Sequence, residues 1–234
     1  MLHIHNLEAF YGSSYIIQNI SLKVEERQGV ALLGRNGAGK STTLKSIMNI
    51  EPKVKGDIHF NGNPIRGKKP YQLARMGLGY VPEDRRIFAD LSVVDNLQIG
   101  QYGSKNRVTP YGIDEIMELF PLMEKFKKRK GGQLSGGEQQ VVSIARTIMA
   151  KPKVVLMDEP TEGLAPIIVQ SLAESINKII KELGIGVLLA EQNIQFSRKL
   201  TQYVYLIDQG RVIFEGTWDD FDQQPEMREK YLAV

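Results

Sequence analysis

The first thirty residues alternate apolar and polar positions, with Leu2 and Ile4, and then Ile20, Leu22 and Val24, on one face. A two-residue period marks half-buried strands, so this stretch predicts antiparallel pairing. A second pattern follows. Val30-Ala31-Leu32-Leu33, Gly79-Tyr80-Val81, Val154-Val155-Leu156-Met157 and Val187-Leu188-Leu189-Ala190 are short continuous apolar runs, as expected of strands buried on both faces of a parallel sheet. Polar residues stand just beyond three of them: Glu83, Asp158 with Glu159, and Glu191 with Gln192. Open α/β sheets bind their ligands at that carboxyl edge. Over residues 88–150 the period becomes helical, with Ile113, Ile116, Met117 and Phe120 on one face and loops at Gly103-Ser104 and Gly131-Gly132. Residues 203–207, the turn Asp208-Gln209-Gly210 and residues 211–214 predict a hairpin, followed by a short polar helix to Tyr231.

Composition narrows the class of protein. At 234 residues, 42% hydrophobic and 24% charged, the chain has enough apolar sequence for a full core and reads as a single domain with an insertion. No apolar stretch is long enough to span a bilayer, and the start Met1-Leu2-His3-Ile4-His5-Asn6 lacks the apolar core of a signal peptide. A cytoplasmic protein is expected. The absence of cysteine excludes disulfides, thiolate metal ligands and a thiol nucleophile. The net charge of +3 calls for no polyanionic partner, and the densest basic run, Lys125-Phe126-Lys127-Lys128-Arg129-Lys130, reads as a solvated connection, so no nucleic acid is expected. His3, His5 and His59 lack metal-ligand spacing with a third donor.

Chemistry enters with Gly34-Arg35-Asn36-Gly37-Ala38-Gly39-Lys40-Ser41-Thr42, a G-x-x-x-x-G-K-S run between an apolar strand and a helical pattern carrying Leu44, Ile47 and Met48. Strand, glycine-rich loop and helix are the setting of a phosphate-binding P-loop. Its backbone N–H groups and the helix N-terminus cradle phosphates, Lys40 reaches the β- and γ-phosphates, and Ser41 ligates Mg²⁺. The run Val154-Val155-Leu156-Met157-Asp158-Glu159-Pro160 brings two carboxylates to the same edge. Asp158 suits the Mg²⁺ site, and Glu159 suits a base or positioner for attacking water.

A third segment, Leu134-Ser135-Gly136-Gly137-Glu138-Gln139-Gln140, opens a helix with the apolar face Val141, Ile144, Ala145, Ile148 and Met149, and Ser135 is the expected N-cap. With the P-loop and residues 154–160 in this order, essentially the whole chain resembles the ATP-binding subunits of ABC transporters. The resemblance implies a P-loop α/β fold with a parallel sheet: residues 1–87 and 151–234 as a RecA-like core with an antiparallel β subdomain, and residues 88–150 as a helical subdomain. It also implies a head-to-tail dimer with a second such subunit, homo- or heterodimeric. In it Ser135, Gly136, Gly137 and Glu138 complete the ATP site of the partner.

The resemblance assigns further positions. Tyr11 falls where the family stacks an aromatic ring on adenine, and residues 161–166 correspond to the loop that crosses to the partner. Three positions depart from the common pattern: Ala165 replaces a frequent aspartate, Glu83 fills a glutamine position near Mg²⁺, and Gln192 fills the position of a histidine that senses the γ-phosphate. With Gly163-Leu164-Ala165-Pro166, these look like the LivF-type subunits of branched-chain amino acid importers. The implied protein is an ATPase that uses ATP and Mg²⁺, docked on the inner face of the membrane against separate permease chains and served by an external substrate-binding protein. A soluble ABC ATPase acting on nucleic acid or ribosomes, and a P-loop small-molecule kinase, are the alternatives. The first commonly carries two ATPase halves or a long coiled-coil insertion, absent here, and the second has no use for residues 134–138.

Overall fold

The computed structural model describes residues 1–105 and 107–232. The expected N-terminal pair is present as β1 (Leu2–Tyr11) and β2 (Ser14–Val24), antiparallel with Leu2 opposite Val24 and Ile4 opposite Leu22. The other edge of β1 pairs with β4 (Lys53–Phe60), which in turn holds the short β5 (Asn63–Pro64). The apolar runs build the second sheet: β3 (Gly29–Leu33), β6 (Leu78–Val81), β7 (Val154–Asp158) and β8 (Gly186–Glu191), joined by β9 (Tyr203–Asp208) and β10 (Arg211–Thr217). Its order is β10-β9-β3-β8-β7-β6, parallel except for β10. The β9–β10 turn has positive φ at Gln209 (45°) and Gly210 (77°), the two-residue geometry whose twist suits a hairpin.

Alternating side chains on these strands face different layers, so both faces must be covered. Val154, Leu156, Leu188 and Ala190 pack with Val30 and Leu32 toward α1 (Lys40–Ile47) and the first sheet. α2 (Pro70–Met76) closes that layer through Leu73. Val155, Met157, Val187 and Leu189 face α3 (Val93–Gly100), α4 (Ile113–Leu119), α5 (Gly136–Ile148), α6 (Pro166–Lys181) and α7 (Ile194–Leu200). At roughly 1.5–3 kcal/mol for each fully buried large aliphatic side chain, these two layers supply most of the drive to fold. The C-terminal helices α8 (Trp218–Asp222) and α9 (Pro225–Leu232) replace the single helix expected there; Gln224 precedes Pro225, which starts a new helix because its fixed φ suits the first turn. Trp218 and Phe221 cover Ala31, Leu33, Val204 and Leu206.

Register places the site. Leu33 lies beside Glu191, Ala190 beside Asp158, and Val81 beside Met157, so four strands end together and their following segments share one edge.

Candidate active site

The P-loop is fastened before it offers anything to a ligand. Ala38 N–H donates to Arg35 O (3.1 Å), and Ala38 O accepts from Gly210 N–H (2.8 Å), tying the loop to the β9–β10 turn. Gly39 has φ of 111°, a backbone conformation that calls for glycine. Lys40 then begins α1, 3% exposed, and donates from Nζ to Gly34 O (2.8 Å) and Arg35 O (3.0 Å).

Three segments converge on this loop. After β7, the Glu159 carboxylate pairs with Lys40 (Nζ to Oε1 2.9 Å). Asp158 accepts from Ser41 Oγ–H at Oδ1 (2.9 Å) and from the Tyr80 hydroxyl at Oδ2 (3.3 Å). Burial pushes the Asp158 carboxyl above the usual carboxylate range, against those two bonds, which favour its ionised form. Burial and the neighbouring Asp158 push the Tyr80 phenol far up, so it remains a donor. After β8, Gln192 Nε2–H donates to Asn36 Oδ1 (2.5 Å) and to Glu159 Oε2 (3.3 Å).

Of these groups, Asn36, Lys40, Ser41 and Glu159 border a cleft of about 240 Å³, lined also by Gly37, Thr42 and Glu83, with Ile16 as its apolar wall. Glu162 also lines it and lies beside Glu83, whose carboxyl is held above its ordinary range by desolvation, then by Glu162 and Asp158. Hard oxygen donors at Ser41, Asp158 and Glu83 suit Mg²⁺ chemically. Among the described residues, however, no three His, Asp or Glu side chains converge to hold a metal unaided. Such an ion would need phosphate oxygens as well.

Several expected contributors, Asp158, Gln192, Tyr11 and Ser135 among them, lie outside the cleft lining. Tyr11 is 38% exposed, and its hydroxyl donates to Glu51 Oε2 (3.3 Å) next to α1. Ser135 caps α5 as expected: its Oγ accepts from Glu138 N–H (3.3 Å), and Glu138 Oε2 accepts from Ser135 N–H (2.7 Å). Its neighbours Gly136 and Gly137 face Arg85 and Ile168 of the same chain, so residues 135–138 do not line their own chain's cleft.

Compared with known proteins, residues 17–162 match the ABC transporter family. The chain belongs to that family. The branched-chain amino acid transport ATP-binding protein BraG of Pseudomonas aeruginosa is 35% identical over 233 residues, covering all of both chains. The Archaeoglobus fulgidus protein named probable branched-chain amino acid transport ATP-binding protein LivF is 35% identical and covers 100% of this chain and 99% of that one. The lipopolysaccharide export ATP-binding protein LptB of Escherichia coli is also 35% identical, over 97% of this chain and 95% of its own. Among solved structures, an ATP-binding subunit of an ABC transporter superposes with a TM-score of 0.80 at 27% identity, covering 99% of this chain and 96% of that one.

As an ABC cassette the chain is an ATPase coupled to transport. Among the described residues no helix is long and apolar enough to cross a membrane. Tyr80 and Ile16 were not among the expected site residues, and Thr161 and Glu162 were expected only in the loop that crosses to the partner. Tyr80 sat in an apolar run and read as packing; its hydroxyl was the missed signal.

Proposed function

We propose that this chain is the ATP-hydrolysing subunit of an importer for branched-chain amino acids or related amino acids and amides, held on the inner face of the membrane. The observation that supports the reaction is that the Glu159 carboxylate, at the cleft wall, is held by Lys40 at one oxygen and by Gln192 at the other. The substrate class rests on full-length likeness to BraG and LivF.

In this reading residues 34–42 grip the ATP phosphates, Lys40 takes the γ-phosphate, and Tyr11 stacks on adenine. Ser41 and Asp158 hold Mg²⁺ with the phosphates, Glu83 facing the same site; when bound, the ion neutralises phosphate charge. Glu159 orients the attacking water, and Gln192 donates its amide N–H to the γ-phosphate. Fixed donors aimed at developing charge, rather than covalent chemistry, lower the barrier. A head-to-tail dimer, of identical or related subunits, supplies Ser135, Gly136, Gly137 and Glu138 across the interface; their place outside their own cleft supports this. We read residues 1–87 and 151–234 as the nucleotide-holding unit and residues 88–150 as a helical insertion, because β6 and β7 are adjacent and parallel and the chain leaves and re-enters the sheet between them.

LptB, equally similar, favours one competing reading: a cassette that powers lipid export. The two separate in proteoliposomes carrying the chain with the permease proteins and the external substrate-binding protein encoded beside it. Leucine uptake driven by internal or external ATP, whichever side bears the cassette, supports the importer. Failure to move leucine, isoleucine or valine while ATPase activity responds to lipid overturns it.

A further inference from the structure

One buried acid at this edge has no part in the chemistry described so far. Glu191, the last residue of β8, is 3% exposed. Its Oε1 accepts from the backbone N–H (3.1 Å) and the hydroxyl (2.6 Å) of Thr161. Its Oε2 accepts from the backbone N–H groups of Gln192 (3.1 Å) and Asn193 (3.2 Å). One carboxylate thus joins the segment after β7 to the segment after β8 through four donors.

The first of those segments is strained where it matters. Glu159 sits at φ of 43°, in the left-handed region that a non-glycine residue occupies at a cost of order 1–3 kcal/mol and keeps only when its surroundings over-determine it. β8 supplies the constraints. Glu159 N–H donates to Ala190 O (2.9 Å), and two residues later Thr161 is held by Glu191. On the other side Glu191 fixes the backbone of Gln192, whose amide reaches Glu159 Oε2. The loop is closed: Glu191 to Thr161, back along the chain to Glu159, across to Gln192, and home.

We propose that Glu191 is a positioning residue for hydrolysis, clamping the turn that aims Glu159 to the segment that aims Gln192. This rests on the roles given above to Glu159 and Gln192. The four bonds of Glu191 go to Thr161, Gln192 and Asn193 and none to residues 34–42, so loosening the clamp is expected to affect turnover more than binding. A glutamine at 191 would turn one of the two acceptors into a donor facing N–H groups.

The test compares purified full-length variants in steady-state ATPase assays, equilibrium ATP binding and thermal unfolding. Glu191→Gln is expected to lower kcat by about tenfold or more, with KM and ATP affinity within about threefold of wild type, the signature of an interaction needed in the transition state. Thr161→Val, which removes one hydroxyl and keeps every backbone bond, is expected to lower kcat in the same way, and Thr161→Ser, which restores the hydroxyl, recovers the rate. Thr161→Val decides the matter if Glu191→Gln does not fold. Wild-type kcat in folded Glu191→Gln or in Thr161→Val overturns the proposal, as does a joint loss of kcat and ATP affinity, which marks a merely structural role. Glu159→Gln runs in parallel. If it hydrolyses ATP normally, the underlying reading of the site fails; if it is inactive while the Glu191 and Thr161 variants are normal, the clamp alone fails.

Discussion

The Lys40 ammonium and the Glu159 carboxylate stand 2.9 Å apart, the lysine 3% and the glutamate 10% exposed. A phosphate that reaches Lys40 competes with Glu159 for the same cation. In the proposed mechanism, binding would release the carboxylate from Lys40 as it gains a water molecule to orient, with its other oxygen still held by Gln192. The two carbonyls of Gly34 and Arg35 hold the ammonium in place through the exchange.

Glu159→Gln keeps the shape of that contact and removes its charge. Phosphate release is expected to fall by roughly a hundredfold or more, the size of a lost general base. ATP affinity should be equal or tighter, because a neutral amide competes less well for Lys40. Single-turnover hydrolysis and equilibrium ATP binding on the same preparation check both; wild-type turnover would remove Glu159 from the mechanism.

Gln192 has no titration near neutral pH, so it contributes none to turnover between about pH 6 and 8. Gln192→His places an imidazole beside Asn36 and Glu159 and should give ATP turnover a new pH dependence in that range, the protonated form being the better donor to phosphate. An unchanged pH–rate profile would count against a place at the γ-phosphate.

Tyr11 is anchored through its hydroxyl to Glu51, yet the ring is the part assigned to adenine. Tyr11→Ala should weaken ATP binding by about fivefold to a hundredfold, the range for loss of one aromatic–base stack. Tyr11→Phe should bind nearly as wild type. Equal loss in both variants would show that the hydroxyl, not the ring, matters.

Glu83 yields a prediction with a defined sign. Its folded-state pKa is raised, by desolvation first and by Glu162 and Asp158 next, so its contribution to stability is full below its ordinary value of 4.5 and is lost as pH rises through the folded value. At pH 7 the ionised group is a liability. Glu83→Gln should raise the melting temperature at pH 7 without Mg²⁺, with the gain shrinking toward pH 4.5, and should shift the Mg²⁺ titration of ATPase activity. Identical Mg²⁺ titrations would take Glu83 out of the metal site.

The residues that announced themselves in the sequence were those whose chemistry is local. The glycines and Lys40 act within nine residues, and Ser135 with Glu138 forms a capping box within four, as the structure bears out. β4 escaped notice because its inward positions run Val54, Gly56, Ile58, Phe60, and the glycine interrupts the apolar count. The reason lies in another strand: at Gly56 φ is 90° and a Cβ would stand 2.2 Å from Asn6 O, where the register of β1 shifts. Tyr80 was likewise invisible, since its role is defined by Asp158 on a different segment, and the assignment of Thr161 and Glu162 to the crossing loop gave no sign of their partners Glu191 and Glu83. Glu191 was visible as a polar residue at a strand end, but its four donors come from two loops that only the sheet brings together.

β3 carries the P-loop, and its two neighbours in the sheet are β8 and β9, more than 150 residues further along the chain. A chain emerging from the ribosome as far as residue 180 already contains the whole phosphate-binding run, yet β3 has no strand on either side and Lys40 stands at the head of an unsupported helix. Such long-range pairing is slow to form, because loop closure precedes any return in contacts. Nucleotide binding is thus expected to wait for β8 and β9, the strands that flank β3, the first of which leads into Gln192.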